Sequence, residues 1–153
     1  MEQILALKVQ LLSLCTLYVD QRIATAQAAI KGAQASANEE TKSSSGDKYE
    51  TGRAMAQLEI EKNSSQLAEA QKLKHIISQL RSEISSTSAQ LGSIVKTNKE
   101  NYFISIPAGK LLVGNEVYYA ISTASPIAQK LIGLKLGAKF SFNKQEIEVV
   151  SVL

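Results

Sequence analysis

Apolar residues recur three and four apart near the start of the chain, at Ile4, Leu7, Leu11, Leu14 and Tyr18. That spacing predicts a helix with one face turned to a partner. The seam then thins to Ala26, Ala29 and Ala33, small enough to let two helices approach closely. A second pattern starts at Met55 and Leu58 and strengthens at Leu73, Ile77, Leu80 and Ile84. Between the two patterns TKSSSG breaks the periodicity. A single long helix would expose such a stripe, whereas two antiparallel helices joined at 43–46 bury each other's. Their strongly apolar ends, 4–18 and 73–91, would meet at one end of the hairpin, and the polar ends at the turn. About 40 residues per arm at about 1.5 Å each would give a length on the order of 60 Å.

From Gly92 the period changes to two. GSIVKT, NYFISI, EVYYAI, KFSF and EIEVVSV are short, β-branched or aromatic, and separated by NKEN, PAGK and VGN, which predicts strands and turns. One helix interrupts them in SPIAQKLIG. Ser125 suits its N-cap, Pro126 its first position, and Gly133 the residue past its end. The predicted class is α+β. Residues 1–91 form an antiparallel coiled-coil hairpin with its tip near 41–48, and 92–153 form a small α+β domain, a curled sheet with one helix.

Charge refines this picture only slightly. Residues 1–91 carry ten acids and ten bases, and 92–153 carry four and seven, so the whole +3 excess follows residue 91. A general nucleic-acid grip needs a clustered basic face, which this is not. A mildly basic docking surface for an acidic protein is allowed. Cys15 is the single cysteine, so no internal disulfide forms and a reducing compartment is expected. Its leucine neighbours predict a buried thiol. The opening MEQILALKVQLLSLCTLYV lacks a basic leading region and is broken by Lys8, Gln10 and Ser13, unlike a secretory signal. With no stretch approaching roughly 20 apolar residues, the expectation is a cytoplasmic protein with no membrane partner.

Candidate chemistry is sparse. His75 has no Cys or His at ligand spacing, and the serines at 43–45 have no nearby base to activate them. No phosphate-cradling glycine loop and no nucleophile elbow is present, so the chain alone has no complete active site. What stands out is Gly46-Asp47-Lys48-Tyr49-Glu50. Asp47 as N-cap and Glu50 three residues later fit a capping box, with both charges at the positive end of a helix. The same placement would fix two ionised carboxylates at a hairpin tip. Spacing alone leaves both readings open.

SPIAQKLIGLKLGAKF (residues 125–140), the terminal QEIEVVSV and the tip Gly-Asp-x-x-Glu together resemble bacterial Gre-type transcript-cleavage factors, a family of transcription elongation factors. The resemblance implies a coiled-coil hairpin followed by an FKBP-like domain. That domain would dock on bacterial RNA polymerase at the rim of its secondary channel while the hairpin reaches in. Asp47 and Glu50 are then the implied catalytic and metal-ligating pair, helping to hold a Mg²⁺ shared with the polymerase active centre. The protein would be no enzyme itself. It would be a monomeric accessory factor that stimulates the polymerase's cleavage of backtracked RNA and meets the nascent RNA 3′ end indirectly. Mg²⁺ suits such a pair because it takes oxygen ligands, often one or two carboxylates, and keeps several waters. The chain departs from the family after Glu50, where Thr51-Gly52-Arg53-Ala54 stands in place of Asn-Ala-Glu-Tyr. An acid becomes a base at Arg53, positioned for RNA phosphate or the channel wall, and Gly52 loosens the helix. Two rival classes follow: a channel-binding modulator or inhibitor without cleavage, and an FKBP-like chaperone or self-associating coiled-coil scaffold.

Overall fold

A computed structural model describes residues 2–41, 46–82 and 86–153, with side chains at 2–39, 50–82 and 86–153. Helices α1 (Glu2–Thr41) and α2 (Gly46–Gln79) come first. They are followed by β1 (Ile94–Thr97), β2 (Asn101–Ile104), β3 (Gly109–Val113), β4 (Glu116–Ile121), α3 (Pro126–Leu131), β5 (Lys139–Phe142) and β6 (Gln145–Val152). The class is α+β, as expected. Contacts gather the chain into two compact units, one of Val19–Lys74 and one of Met1–Tyr18 with His75–Leu153.

Within Val19–Lys74 the buried positions are Val19, Ala26 and Ala33 on α1 and Ala56, Asn63 and Ala70 on α2. Each set steps by seven residues, the repeat that keeps one seam facing a partner helix. Met55 and Leu58, expected to open the second seam, are instead 65% and 64% exposed. Small residues carry this interface, because alanine brings the backbones together where leucine would hold them apart. Asn63 satisfies its buried amide on its own helix, donating to the Glu59 carbonyl at 2.8 Å and to Glu59 Oε1 at 3.1 Å. Asp20 and Lys74 pair at 2.7 Å, which fixes the two helices as antiparallel. Both groups are about half exposed, so this pair adds at most about 1 kcal/mol.

An alanine seam buries little apolar area, so backbone propensity counts for more in this unit. Gly32 lies inside α1, and a Cβ there would meet nothing within 4 Å. Gly32→Ala is therefore expected to stabilise the helical pair by about 0.5–1 kcal/mol. Amide exchange from residues flanking position 32 should slow correspondingly. Faster exchange in the variant would show that the site is not open helix surface.

The other unit is built on a six-stranded sheet in the order β3-β4-β2-β1-β6-β5. Its pairings are antiparallel except β2 with β4, where Tyr102 faces Tyr119 and Phe103 faces Ala120. Alternation along the strands gives two apolar faces. One face carries Ala89, Val95, Ile104 and Val149 against Ile127 and Leu131 of α3. The opposite face carries Ile94, Phe103, Ser105 and Tyr118, all at most 2% exposed. Here α1 closes the core: Cys15 Sγ lies 3.8 Å from Ser105 Oγ. Cys15 is fully buried, as expected, and burial pushes its thiol above the usual range.

Packing against the sheet turns the root of α1. Lys8, Leu11 and Cys15 are buried there, while Ile4, Leu7, Leu14 and Tyr18 of the expected seam are only partly covered. The contact face is therefore rotated from the one that a helix partner alone would select. By length and composition alone, α1 is also long and apolar enough to cross a membrane, with an 18-residue window of mean hydropathy 1.3. The expectation that no stretch reaches that level is corrected, although Leu11, Cys15 and Val19 are each completely buried inside the protein.

Candidate functional site

The first helical residue of α2 is Gly46. Asp47 thus falls within the first turn, one position past Gly46. Residues 42–45 and the side chain of Asp47 lie outside the described residues, so the capping box and the hairpin tip expected there do too. Glu50 follows three residues after Asp47, a spacing that sets two positions on one face of a helix. Its side chain is exposed. Six residues at about 100° each put Glu50 roughly 120° round the helix from Ala56, off the buried stripe. Arg53, also exposed, follows Glu50 by a further three residues, and Gly52 is partly covered. A negative charge in the first turn of a helix is favoured by the unpaired N–H groups there.

An exposed carboxylate in this position suits a hard cation whose remaining ligands come from elsewhere. Among the described residues no group of three or more His, Cys, Asp and Glu gathers to hold a metal. His75 is exposed, with its Nε2 3.2 Å from Gln79 Nε2 on the same helix.

A second polar cluster, which periodicity did not single out, sits on the sheet. Tyr118 Oη donates to Glu116 Oε2 at 2.6 Å, Lys96 Nζ lies 3.4 Å from the same oxygen, and Lys96 Nζ sits 5.8 Å from the Tyr118 ring centroid. The Tyr118 hydrogen bond, with Lys96 beside it, holds Glu116 below the usual carboxylate range. Burial and the carboxylate together push the Tyr118 phenol well above its own. This arrangement orients β1 against β4 across the intervening β2, a structural task for which no substrate is needed. Because the folded-state value of Glu116 is depressed, its contribution to stability is complete above about pH 4.5, the ordinary value, and is lost as pH falls through the lower one. Glu116→Gln should remove that slope. Thermal midpoints measured from about pH 7 to about pH 3 should then fall less steeply in the variant. Parallel curves would mean that the contact does not persist in solution.

The stretch 125–140 is also in place. Ser125 Oγ accepts from the Ala128 amide at 3.2 Å, Pro126 opens α3, and Gly133 follows it with φ +89°. Gly137, likewise at φ +89°, precedes β5.

No protein family and no curated protein matches this chain. Among solved structures it is similar to the transcription factor Gfh1, at 21% identity over 88% of this chain and 90% of that one, with a TM-score of 0.33.

Proposed function

We propose that this chain is a regulator of bacterial RNA polymerase that inserts the end of its helical pair into the secondary channel and stimulates cleavage of backtracked RNA. The observation that carries this reading is the position of Gly-Asp-x-x-Glu at the very start of α2, where Gre-type factors carry their acidic pair. The stretch at 125–140 supports it, with a capped α3 and a glycine in the left-handed region on each side of the link to β5. In this reading the strands and α3 form the FKBP-like module that docks on the rim of the channel. Asp47 and Glu50 would supply carboxylate oxygens to a Mg²⁺ shared with the polymerase active centre. The chemistry such an ion supplies is activation of a water beside the phosphodiester. The chain's own part is to deliver and orient two anions. It is an accessory factor, works as a monomer in the cytoplasm, and meets the RNA 3′ end only indirectly.

Arg53 favours one alternative. It is exposed one turn beyond Glu50, and a cation there weakens the local anionic field while adding a contact for RNA phosphate or the channel wall. That is the composition of a modulator that binds the same channel without promoting cleavage.

The test is a backtracked complex of purified bacterial RNA polymerase on an RNA–DNA scaffold, incubated with the full chain in Mg²⁺. Co-elution at one chain per polymerase and RNA shortened from its 3′ end are expected. Binding without shortening selects the modulator. Absence of binding overturns both and returns the chain to the chaperone and scaffold classes.

A further inference from the structure

β3 ends the sheet on one side and, among the described strands, pairs only with β4. The two-residue loop Gly114-Asn115, with Gly114 at φ +61°, sets Val113 opposite Glu116. On the far side of β4 the Ile121 carbonyl accepts from Ser105 N at 2.7 Å. Alternation therefore turns the backbone groups of Glu116, Tyr118 and Ala120 toward β3, where their register partners are Val113, Leu111 and Gly109. Lys110 and Leu112 are left with N–H and C=O directed away from the sheet, and among the described residues nothing bonds to those groups. Their side chains share one face, both exposed, and Lys110 makes no ion pair among the described residues. We infer that this edge takes up an extended, antiparallel segment of a partner protein, with an apolar side chain opposite Leu112 and a carboxylate opposite Lys110.

An open strand edge is a template for a further strand. In antiparallel pairing the residues opposite Lys110 and Leu112 each exchange both backbone bonds with their partner, which supplies affinity, while alternate side chains choose the segment. Opposite Lys110 an acid gains a charge partner that β4 does not provide, since Tyr119 stands there. Opposite Leu112 an apolar side chain covers a leucine that the fold leaves in water. The excess of bases over acids after residue 91 also favours an acidic partner. A second copy of this chain fits less well. Lysine on an edge strand disfavours self-pairing, and antiparallel pairing centred on Leu111 would set each Lys110 against a Leu112 rather than a carboxylate. The other edge of the sheet is matched differently: on β5, Lys139 and Ser141 stand beside Glu148 and Glu146 of β6, so that lysine already has an acid of its own chain in register. The inference rests on the sheet alone and is independent of Asp47, Glu50 and the proposed role at polymerase.

The full chain should be titrated with a blocked heptapeptide, acetyl-Thr-Thr-Leu-Val-Glu-Thr-Thr-amide, while amide hydrogen exchange is followed by NMR. The outward amides of Lys110 and Leu112 should exchange rapidly in the free chain and gain saturable protection from the peptide. Those of Leu111 and Val113, which face β4, should change little. Leu112→Ala and Lys110→Gln, both at exposed positions, should keep the fold and each weaken binding by up to about fivefold. Leu112→Pro removes one outward N–H, a change that an edge strand accommodates when that group faces solvent, and should abolish protection at Lys110. A peptide with lysine in place of glutamate should bind more weakly, because like charges directly opposite repel. Protection that appears as the chain alone is concentrated would give the edge to a second copy and overturn the inference. Equal binding of the glutamate and lysine peptides, or no saturable protection at Lys110 and Leu112, would overturn it as well.

Discussion

Phe103→Ala is expected to destabilise the sheet-containing unit by about 3–5 kcal/mol. Phe103 is 1% exposed on β2, which has a neighbouring strand on each side. Its register partners are Ile94 on β1 and Ala120 on β4, both at most 2% exposed. It shares its face with Ser105, the residue that α1 meets through Cys15. Loss of the ring would leave a hole bounded by two paired strands and a helix, none of which can close it without breaking backbone hydrogen bonds. That loss is a large share of the roughly 5–15 kcal/mol by which a domain is usually stable. For a chain of this size the thermal midpoint should fall by roughly 10 °C. Leu112→Ala provides the contrast. Leu112 is 62% exposed, and its truncation should change stability by no more than about 0.5 kcal/mol. If the two variants melted together, the packed face assigned to Phe103 would be wrong.

The strands were legible because their side chains alternate: Ile147 and Val149 are buried while Glu146, Glu148 and Val150 are exposed. β3 was missed. GKLLV is short, shares Gly109 and Lys110 with PAGK and Val113 with VGN, and buries only Leu111, so turn residues outweighed its period. Nothing local encodes the parallel pairing of β2 with β4, which depends on β3 taking the edge position and returning the chain. In the helices, residue size misled the reading. Met55 and Leu58 are large and apolar but point to solvent, whereas Ala56, Asn63 and Ala70 make the seam because only small or self-satisfied side chains fit between close backbones. Lys8 was read as a break in an apolar run. A buried lysine has no one-dimensional signature, because its burial depends on residues distant in sequence, such as Leu80 and Leu91, which line one cavity with it. The pair Asp47 and Glu50 was legible as a motif, since three-residue spacing at the start of a helix is a local property. Which of its meanings applies depends on a partner the sequence does not contain.

For that pair, if the chain acts at polymerase as proposed, Asp47→Asn with Glu50→Gln is expected to leave the fold and polymerase binding intact and to abolish stimulated RNA cleavage. The substitutions keep side-chain size and hydrogen-bonding capacity but remove the two negative charges. If the residues served only the start of α2, the effect would be small. Asparagine is as good near a helix N-terminus as aspartate, and loss of favourable charge–dipole interaction in the first turn costs about 0.3–1 kcal/mol per residue. Circular dichroism and thermal melting would then show a slight change, and any cleavage activity would persist. If the residues hold Mg²⁺, the consequence is of another order. A neutral carboxamide is a poor ligand for a hard cation that must be partly stripped of water, and loss of such electrostatic stabilisation typically costs on the order of a hundredfold to a thousandfold in rate. Raised Mg²⁺ should restore part of that rate, because weaker occupancy is recovered by mass action. Arg53→Glu, which puts an acid where the Gre-type factors that the chain resembles carry one, should on the proposed function shift activity the opposite way and strengthen cleavage without changing affinity for polymerase much. Full cleavage by the double variant would remove Asp47 and Glu50 from the metal site. A wild-type chain that binds polymerase yet cleaves nothing, and begins to cleave when Arg53 becomes glutamate, would identify position 53 as the residue that separates a modulator from a cleavage factor.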